Sequence, residues 1–358
     1  MKEAPLPRMT TSTSSREMTC PFDQQQLAHA FAPLMQGSGT LHLDEVLAGN
    51  INTIVKLAWN NQRYGLRIRT QETVYRYEPD LVKEAFVSQL LSNRGTDPQD
   101  KAIAAVFAEL RSAQRGFISH YPSVLPVVRY FDWSRQRLPH PYCIYEWVDG
   151  APLWDIPEPE LYAQTGQTLA QIHDVKFSAF YADFPSVGVQ PVSWPERFSA
   201  ALAKEAQGAS NRLPSSLVEQ LQQLKLPAGN TVRPCLVHND FAPGNILVRD
   251  RQVAAVIDWD NAVIDVPHLD FVKMKYWTAK DTQGELTHHP VLFAAFVDGY
   301  GPSGREMVSS PVFRLYEILW LLRVFNFERS KEEQGLPRAP GYPAAAMYEK
   351  HLRSILYQ

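Results

Sequence analysis

The feature that most constrains the fold is where strand-like and helix-like patterning falls along the chain. Strand-like runs crowd the stretch from Leu43 to Val148, helical periodicity dominates from residue 159 onward, and strands return only around 235–258. A β-rich first third, a short hinge and a helix-rich remainder describe an α+β, two-lobed architecture. The boundary is expected near residues 146–150.

Within the first third, "EVLAGNINTIVKLAW" and "YGLRIRT" flank Asn60 and Asn61. Asparagine tolerates positive φ, so this pair predicts a hairpin turn. "PDLVKEAFVSQLL" (79–91) predicts a helix, with Pro79 near its first turn and Leu81, Val82, Ala85, Phe86 and Leu90 on one face. "SNRGTDPQD" breaks it, and 101–117 reads as a second helix inside an insert at about 92–120. "VLPVVRYFDW" and "YCIYEWV" are strand-like. Further helices are expected at 159–175, 193–207, 215–225, 290–299 and 311–328. Residues 1–22, rich in Thr, Ser and Pro, read as a disordered tail. Residues 23–147 then form the N-terminal lobe and 148–358 the C-terminal lobe.

Composition narrows the function classes. The chain has 358 residues, 20% of them charged, and a net charge of −3, so no basic surplus points to nucleic acid or to a membrane surface. The three cysteines, Cys20, Cys143 and Cys235, lack the paired spacing of a disulfide framework or zinc site and fit a reducing compartment. The most apolar segment, 312–327, is interrupted by Arg314, Glu317 and Arg323 and reads as a buried helix. A cytoplasmic location is expected.

One stretch carries chemistry: "CLVHNDFAPGNILVRDRQVAAVIDWD", residues 235–260. A short strand leads into His238, Asn239 and Asp240; "FAPGN" is a turn; "ILV" and "VAAVI" form a hairpin through "RDRQ". The hairpin returns Asp258 to the end that carries Asp240 and Asn245. A lone Asp or His in a loop is ordinarily a turn residue, but His-x-Asp-x-x-x-x-Asn followed by Asp after a hairpin matches the division of labour in phosphoryl transfer. Asn245 and Asp258 offer the hard oxygens that Mg²⁺ takes, and Asp240 can accept a proton from an attacking hydroxyl.

These residues resemble the catalytic segment of the aminoglycoside phosphotransferase family, whose fold is protein-kinase-like. The likeness extends to "YCIYEWVDGAPL" and "LAQIH", and a fainter one to the hygromycin phosphotransferase branch lies in "VDGAPLWDIPEPEL". The resemblance implies a bilobal enzyme that uses ATP and Mg²⁺ to phosphorylate a hydroxyl of a small molecule. It makes Asp240 the catalytic base and Asn245 and Asp258 the Mg²⁺ ligands. His238 belongs to the catalytic loop, either orienting it or moving protons. The N-terminal lobe would bind nucleotide, with Gly49 and Asn52 in the phosphate-covering loop and Arg67 on the phosphates. Glu84 would pair with Arg67, and Glu146, Trp147 and Val148 would present backbone to the adenine. Arg69 lies on the face of Arg67. Asp260 reads as facing substrate or as a solvated turn residue, the second favoured, and His173 as a satisfied core histidine.

The chain departs from the family downstream. Where a Gly-Asp-Pro is common it has Asp265, Val266 and Pro267, with Asp270 at a further family Asp. This touches the acceptor side. An aminoglycoside or another antibiotic or natural product is the acceptor the family suggests, with choline or homoserine as alternatives. Asp149, Asp155, Asp260, Asp265 and Asp270 could supply the acidic pocket an amine-rich acceptor favours. A nucleotide-binding pseudokinase module and a metal-dependent phosphoesterase remain as rivals.

Overall fold

In a computed structural model, the described residues are 9–11, 22–35, 39–48, 52–69, 80–92, 108, 114–115, 125–132, 134–181, 191–227 and 232–357. Two hydrophobic cores organise them. The smaller lies between a six-stranded sheet and helix α1 (Gln24–Phe31), and is built from Leu27, Phe31, Val55, Leu57, Trp59, Leu66, Ile68 and Ile144 among others. The larger runs through the helical lobe and reaches into the first lobe by way of helix α2 (Asp80–Ser92).

The sheet comprises β1 (Met9–Thr11), β2 (Leu41–Ala48), β3 (Asn52–Trp59), β4 (Gln62–Arg69), β6 (Val128–Asp132) and β7 (Tyr142–Glu146), in the order β1-β2-β3-β4-β7-β6; β5 (Gln114–Arg115) belongs to another sheet. β3 and β4 turn on Asn60 and Asn61, both at positive φ, as the hairpin reading expected. Along β3 the odd residues Thr53, Val55, Leu57 and Trp59 are buried and the even ones half-buried. The period of two turns Tyr64, Leu66 and Ile68 of β4 toward α1, and Arg67 and Arg69 toward the cleft.

Two expectations fail here. Residues 9–11, assigned to the tail, pair in parallel with β2 through Met9–Leu41. Gln114 and Arg115, placed at the end of a helix over 101–117, instead form β5 and pair with β9 (Lys176–Phe177). Short polar-flanked strands of this kind carry no periodicity to read. The rest of that insert lies outside the described residues.

The second lobe contains α3 (Pro159–His173), α4 (Trp194–Ala209), α5 (Ser215–Gln222), α6 (His268–Tyr276), α7 (Pro290–Tyr300), α8 (Pro302–Val308), α9 (Pro311–Glu333) and α10 (Ala345–Leu356). Ser193 opens α4 with a capping box to Glu196, and Ser310 caps α9. α3 and α7 cross with backbones almost touching: a Cβ on Gly166 would meet Phe296 O at 2.1 Å, and one on Gly299 would meet Ala163 O at 2.0 Å. That crossing brings His173, at the end of α3, against Tyr300, at the end of α7. α1, α6, α8 and α10 are helices the periodicity did not reveal. Among the described residues, no helix is long and apolar enough to cross a membrane.

Candidate active site

The segment 235–265 folds as β12 (Cys235–Val237), a loop, the hairpin β13 (Ile246–Arg249)–β14 (Gln252–Val256), and β15 (Val263–Asp265), which pairs back onto β12. The hairpin turns at Asp250 and Arg251, both at positive φ. Ile257 N–H donates to the Asn245 carbonyl at 2.9 Å, so the two ends of the hairpin are tied together. This brings Asp240, Asn245 and Asp258 to one place. Asn239 and Asp258 are both left-handed, at φ 62° and 68°. Non-glycine residues pay for that conformation, and such positions gather at functional sites.

His238 does not reach this place. It is fully buried, its Nδ1 accepts from the Asp240 N–H at 3.2 Å, and its Nε2–H donates to the Ile257 carbonyl at 2.9 Å. These partners define a neutral tautomer, and burial holds the imidazole below its usual pKa. Both ring nitrogens are engaged by backbone groups, which favours the loop-orienting reading of His238 over the proton-moving one.

Below the loop, Asp270 of α6 accepts from His238 N–H at 2.8 Å and from Asn239 N–H at 2.7 Å. His173 Nε2 meets the same carboxylate at 3.0 Å, and its Nδ1 meets the Tyr300 hydroxyl at 3.0 Å. The chain Tyr300–His173–Asp270 therefore fixes the backbone on which Asp240 stands, and Phe241 is buried beside it against Phe296. His173 is the satisfied core histidine the sequence suggested.

Asn245 Nδ2 donates to the Asp240 carbonyl at 2.9 Å, which orients the amide. Asp258 Oδ1 lies 2.8 Å from Arg67 Nη2. Arg67 also donates through Nη1 to Glu84 at 2.8 Å and through Nη2 to Asp260 at 2.8 Å. The Asn52 side chain, with its oxygen turned to Arg67, accepts from Nε at 3.0 Å and Nη2 at 2.7 Å. Asp260 is thus a cross-lobe partner of Arg67, with its side chain 12% exposed, and the solvated-turn reading of this residue is corrected. The period-two pattern places Arg67 toward the cleft, but nothing local marks which carboxylates wait there.

Burial pushes the Glu84 carboxyl up, against the opposing pull of Arg67. Burial acts the same way on Asp258, but there the Arg67 guanidinium outweighs it and leaves the carboxyl below its usual range. Three carboxylates meet one guanidinium, so negative charge exceeds positive among these four groups. That excess, beside the oxygen of Asn245, suits a divalent cation that keeps positions for phosphate and water. Among the described residues no group of three or more His, Cys, Asp and Glu side chains is placed to hold a metal ion by itself, so Asn245 and phosphate oxygens would have to complete the set.

Toward the hinge, Glu146 N–H donates to the Val127 carbonyl at 2.9 Å and Trp147 N–H to the Arg63 carbonyl at 3.0 Å. Those two donors are engaged in the sheet, which leaves Val148 N–H as the donor of the three that could face an adenine. The Glu146 carboxylate holds Arg129 Nε at 2.7 Å. The Trp147 ring lies 4.7 Å beneath Lys56 Nζ. Gly49 lies outside the described residues.

A residue the sequence reading missed stands beside the base. Lys273 of α6 places Nζ against Asp240 Oδ1 and 5.0 Å above the Trp277 ring. Burial, and then the charge of Arg323, pull its ammonium down to about 7. Its signal was only a Lys amid the apolar residues of "DFVKMKYW".

The model of the phosphotransferase enzyme family matches residues 42–308. A hygromycin-B 4-O-kinase from Escherichia coli is 27% identical over 201 residues, 52% of this chain; the match spans 57% of that relative's own length. The apo structure of a thermostable mutant of aminoglycoside phosphotransferase APH(4)-Ia superposes with a TM-score of 0.60 at 16% identity, over 92% of this chain and 97% of that one. A ternary complex of the same protein with ADP and hygromycin B gives 0.58 at 15% identity, over 88% and 94%. At those identities the superpositions speak to fold, and the fold is bilobal and kinase-like. With the family model covering most of the sequence and both lobes, this chain belongs to the phosphotransferase enzyme family.

Proposed function

We propose that the chain transfers the γ-phosphoryl group of ATP to a hydroxyl of a small molecule, with Mg²⁺. The observation that carries this reading is the meeting of Arg67 with Asp258 at 2.8 Å, beside the loop that bears Asp240 and Asn245. The first lobe delivers a cation, and the second delivers the oxygens and a base, to the same spot. The solved relative complex with ADP and hygromycin B supports a nucleotide and a hydroxylated acceptor for this fold.

In this reading Arg67 turns part of its fork to the phosphates, and Glu84 keeps it aimed. Asn245 and Asp258 would hold Mg²⁺, which when bound neutralises charge on the phosphate oxygens. Asp240 accepts the proton of the acceptor hydroxyl as the oxygen–phosphorus bond forms and the bond to ADP breaks. Asp270, through His238 N–H and Asn239 N–H, keeps Asp240 in line.

The test is calorimetric titration of ATP with and without Mg²⁺. Wild-type protein should bind Mg·ATP more tightly than ATP alone, and Asp258→Ala should abolish that difference. An Asp258→Ala protein that retains the full Mg²⁺ enhancement would remove its metal role.

A further inference from the structure

Asp270 grips the catalytic loop through His238 N–H and Asn239 N–H. That grip ends at the main chain. The last torsion of an aspartate side chain joins a tetrahedral to a planar carbon and has a broad profile, so a fixed backbone does not by itself set the plane of the Asp240 carboxylate. A base must meet its hydroxyl at about 2.6–3.2 Å, and a misplacement of about 1 Å can lower the rate roughly 100-fold. Something else has to hold the carboxylate.

Two observations identify the holder. Asp240 Oδ1 is buried, and among the described residues no backbone or hydroxyl donor bonds to it. The ammonium of Lys273, itself largely buried, stands against that oxygen. The Asp240 side chain as a whole is 18% exposed, so what exposure its carboxylate has falls on Oδ2. One oxygen is taken from inside, and the other is left for an acceptor hydroxyl, which reaches it without moving Lys273.

Lys273 is itself braced. It follows Asp270 by three residues, so the two side chains leave α6 from one face. Its ammonium lies 5.0 Å from the centre of the Trp277 ring, one turn on. One helix thus grips the loop at two points, the backbone through Asp270 and the carboxylate through Lys273. We propose that Lys273 is a positioning residue for phosphoryl transfer: by holding Oδ1 it sets the plane of the Asp240 carboxylate and presents Oδ2 to the acceptor hydroxyl. The inference rests on the kinase reading above and adds the residue that aims its base. A purely structural Lys273 would only balance a buried charge.

The experiment has two arms, both on the full chain. The first needs no acceptor: urea unfolding of wild type, Lys273→Met, Asp240→Asn and the double variant. Asp240→Asn leaves the Lys273 ammonium without its carboxylate, so Lys273→Met should lower the urea midpoint of wild type but raise that of Asp240→Asn. Midpoint changes that simply add would mean that the two side chains do not interact, and would overturn the inference alone.

The second arm measures ADP release from ATP and Mg²⁺ with hygromycin B, kanamycin, choline, homoserine, gluconate and glucose 6-phosphate. It compares wild type with Lys273→Met, Lys273→Arg, and Lys273→Ala with and without added ethylammonium. With an acceptor that wild type uses, Lys273→Met should lower kcat about ten-fold or more and leave KM for ATP within about two-fold. Lys273→Arg, or ethylammonium added to Lys273→Ala, should recover part of that loss. AMP-PNP binding by each variant reports an intact fold. An unchanged kcat in Lys273→Met, a loss carried by KM for ATP, or a loss that neither Lys273→Arg nor ethylammonium repairs would each overturn the inference while leaving the kinase reading standing. Failure of wild type to release ADP with every acceptor would overturn both.

Discussion

Arg67 of β4 and Asp258 of the turn after β14 are 191 positions apart in the chain and 2.8 Å apart in the fold. Arg67 also holds Glu84 and Asp260, so a single guanidinium links β4, α2 and the catalytic hairpin. Buried ion pairs of this kind contribute little net stability when complete, but breaking one leaves a charge without a partner.

Arg67→Met should therefore cost about 3–5 kcal/mol, the range for removing one member of a buried pair. The double change Arg67→Met with Glu84→Gln should recover part of that loss, because the orphaned carboxylate is gone. Urea unfolding of the three proteins measures this. Equal destabilisation of the single and double variants would mean that Glu84 is not the group left stranded. ATP affinity should remain low in both, since neither carries the phosphate-facing cation.

Asp270 acts at one remove from chemistry. Asp270→Ala frees His238 N–H and Asn239 N–H and leaves His173 without its carboxylate. Displacing a catalytic loop by about 1 Å can cost roughly 100-fold in rate, and that is the expected loss in turnover. Nucleotide affinity should stay near wild type, because Asn245, Asp258 and Arg67 do not contact Asp270. A fall in affinity that matches the fall in turnover would show a general collapse of the site.

Acid should destabilise the protein through its buried histidines. Burial lowers the His268 imidazole to about 4, and it lowers His173 and His238 as well. A histidine whose folded pKa lies below its unfolded value binds fewer protons in the native state within that interval. Stability therefore rises with pH across it, and is lost as pH falls from about 6.5 toward 4. For His268 alone the loss is on the order of 3 kcal/mol. His268→Gln should flatten the melting temperature between pH 6.5 and 4.5 relative to wild type. An unchanged slope would place the proton uptake elsewhere.

Legibility in the sequence followed the range of the interactions. The Asp240–Asn245–Asp258 convergence was readable because a strand, a turn and a hairpin fix it locally. The Arg67–Glu84 pair could be proposed because a strand face and the helix after it lie close in the chain. Asp260 was misread: its partner is in the other lobe, and turn chemistry alone describes an aspartate in "DWDN" equally well. His238 could be read as orienting the loop or as moving protons, and what decides between them is the pair of backbone groups that take its ring nitrogens, which no local pattern reveals. Lys273 went unseen because α6 mixes apolar and charged residues without a clean stripe, and its meaning comes from a loop 33 positions earlier. The five aspartates read as an acidic pocket illustrate the same limit: residue type was visible, but the partners of Asp265 and Asp270 come from distant helices.

The most direct measurement is ADP release from ATP and Mg²⁺ across hydroxylated acceptors, hygromycin B, kanamycin, choline, homoserine, gluconate and glucose 6-phosphate among them, with wild type and Asp240→Ala side by side. Acceptor-dependent release by wild type, reduced by about 100-fold or more in Asp240→Ala while ATP still binds, is the expected result. Turnover that persists in Asp240→Ala would contradict the assignment of the base, and with it the central account of this site.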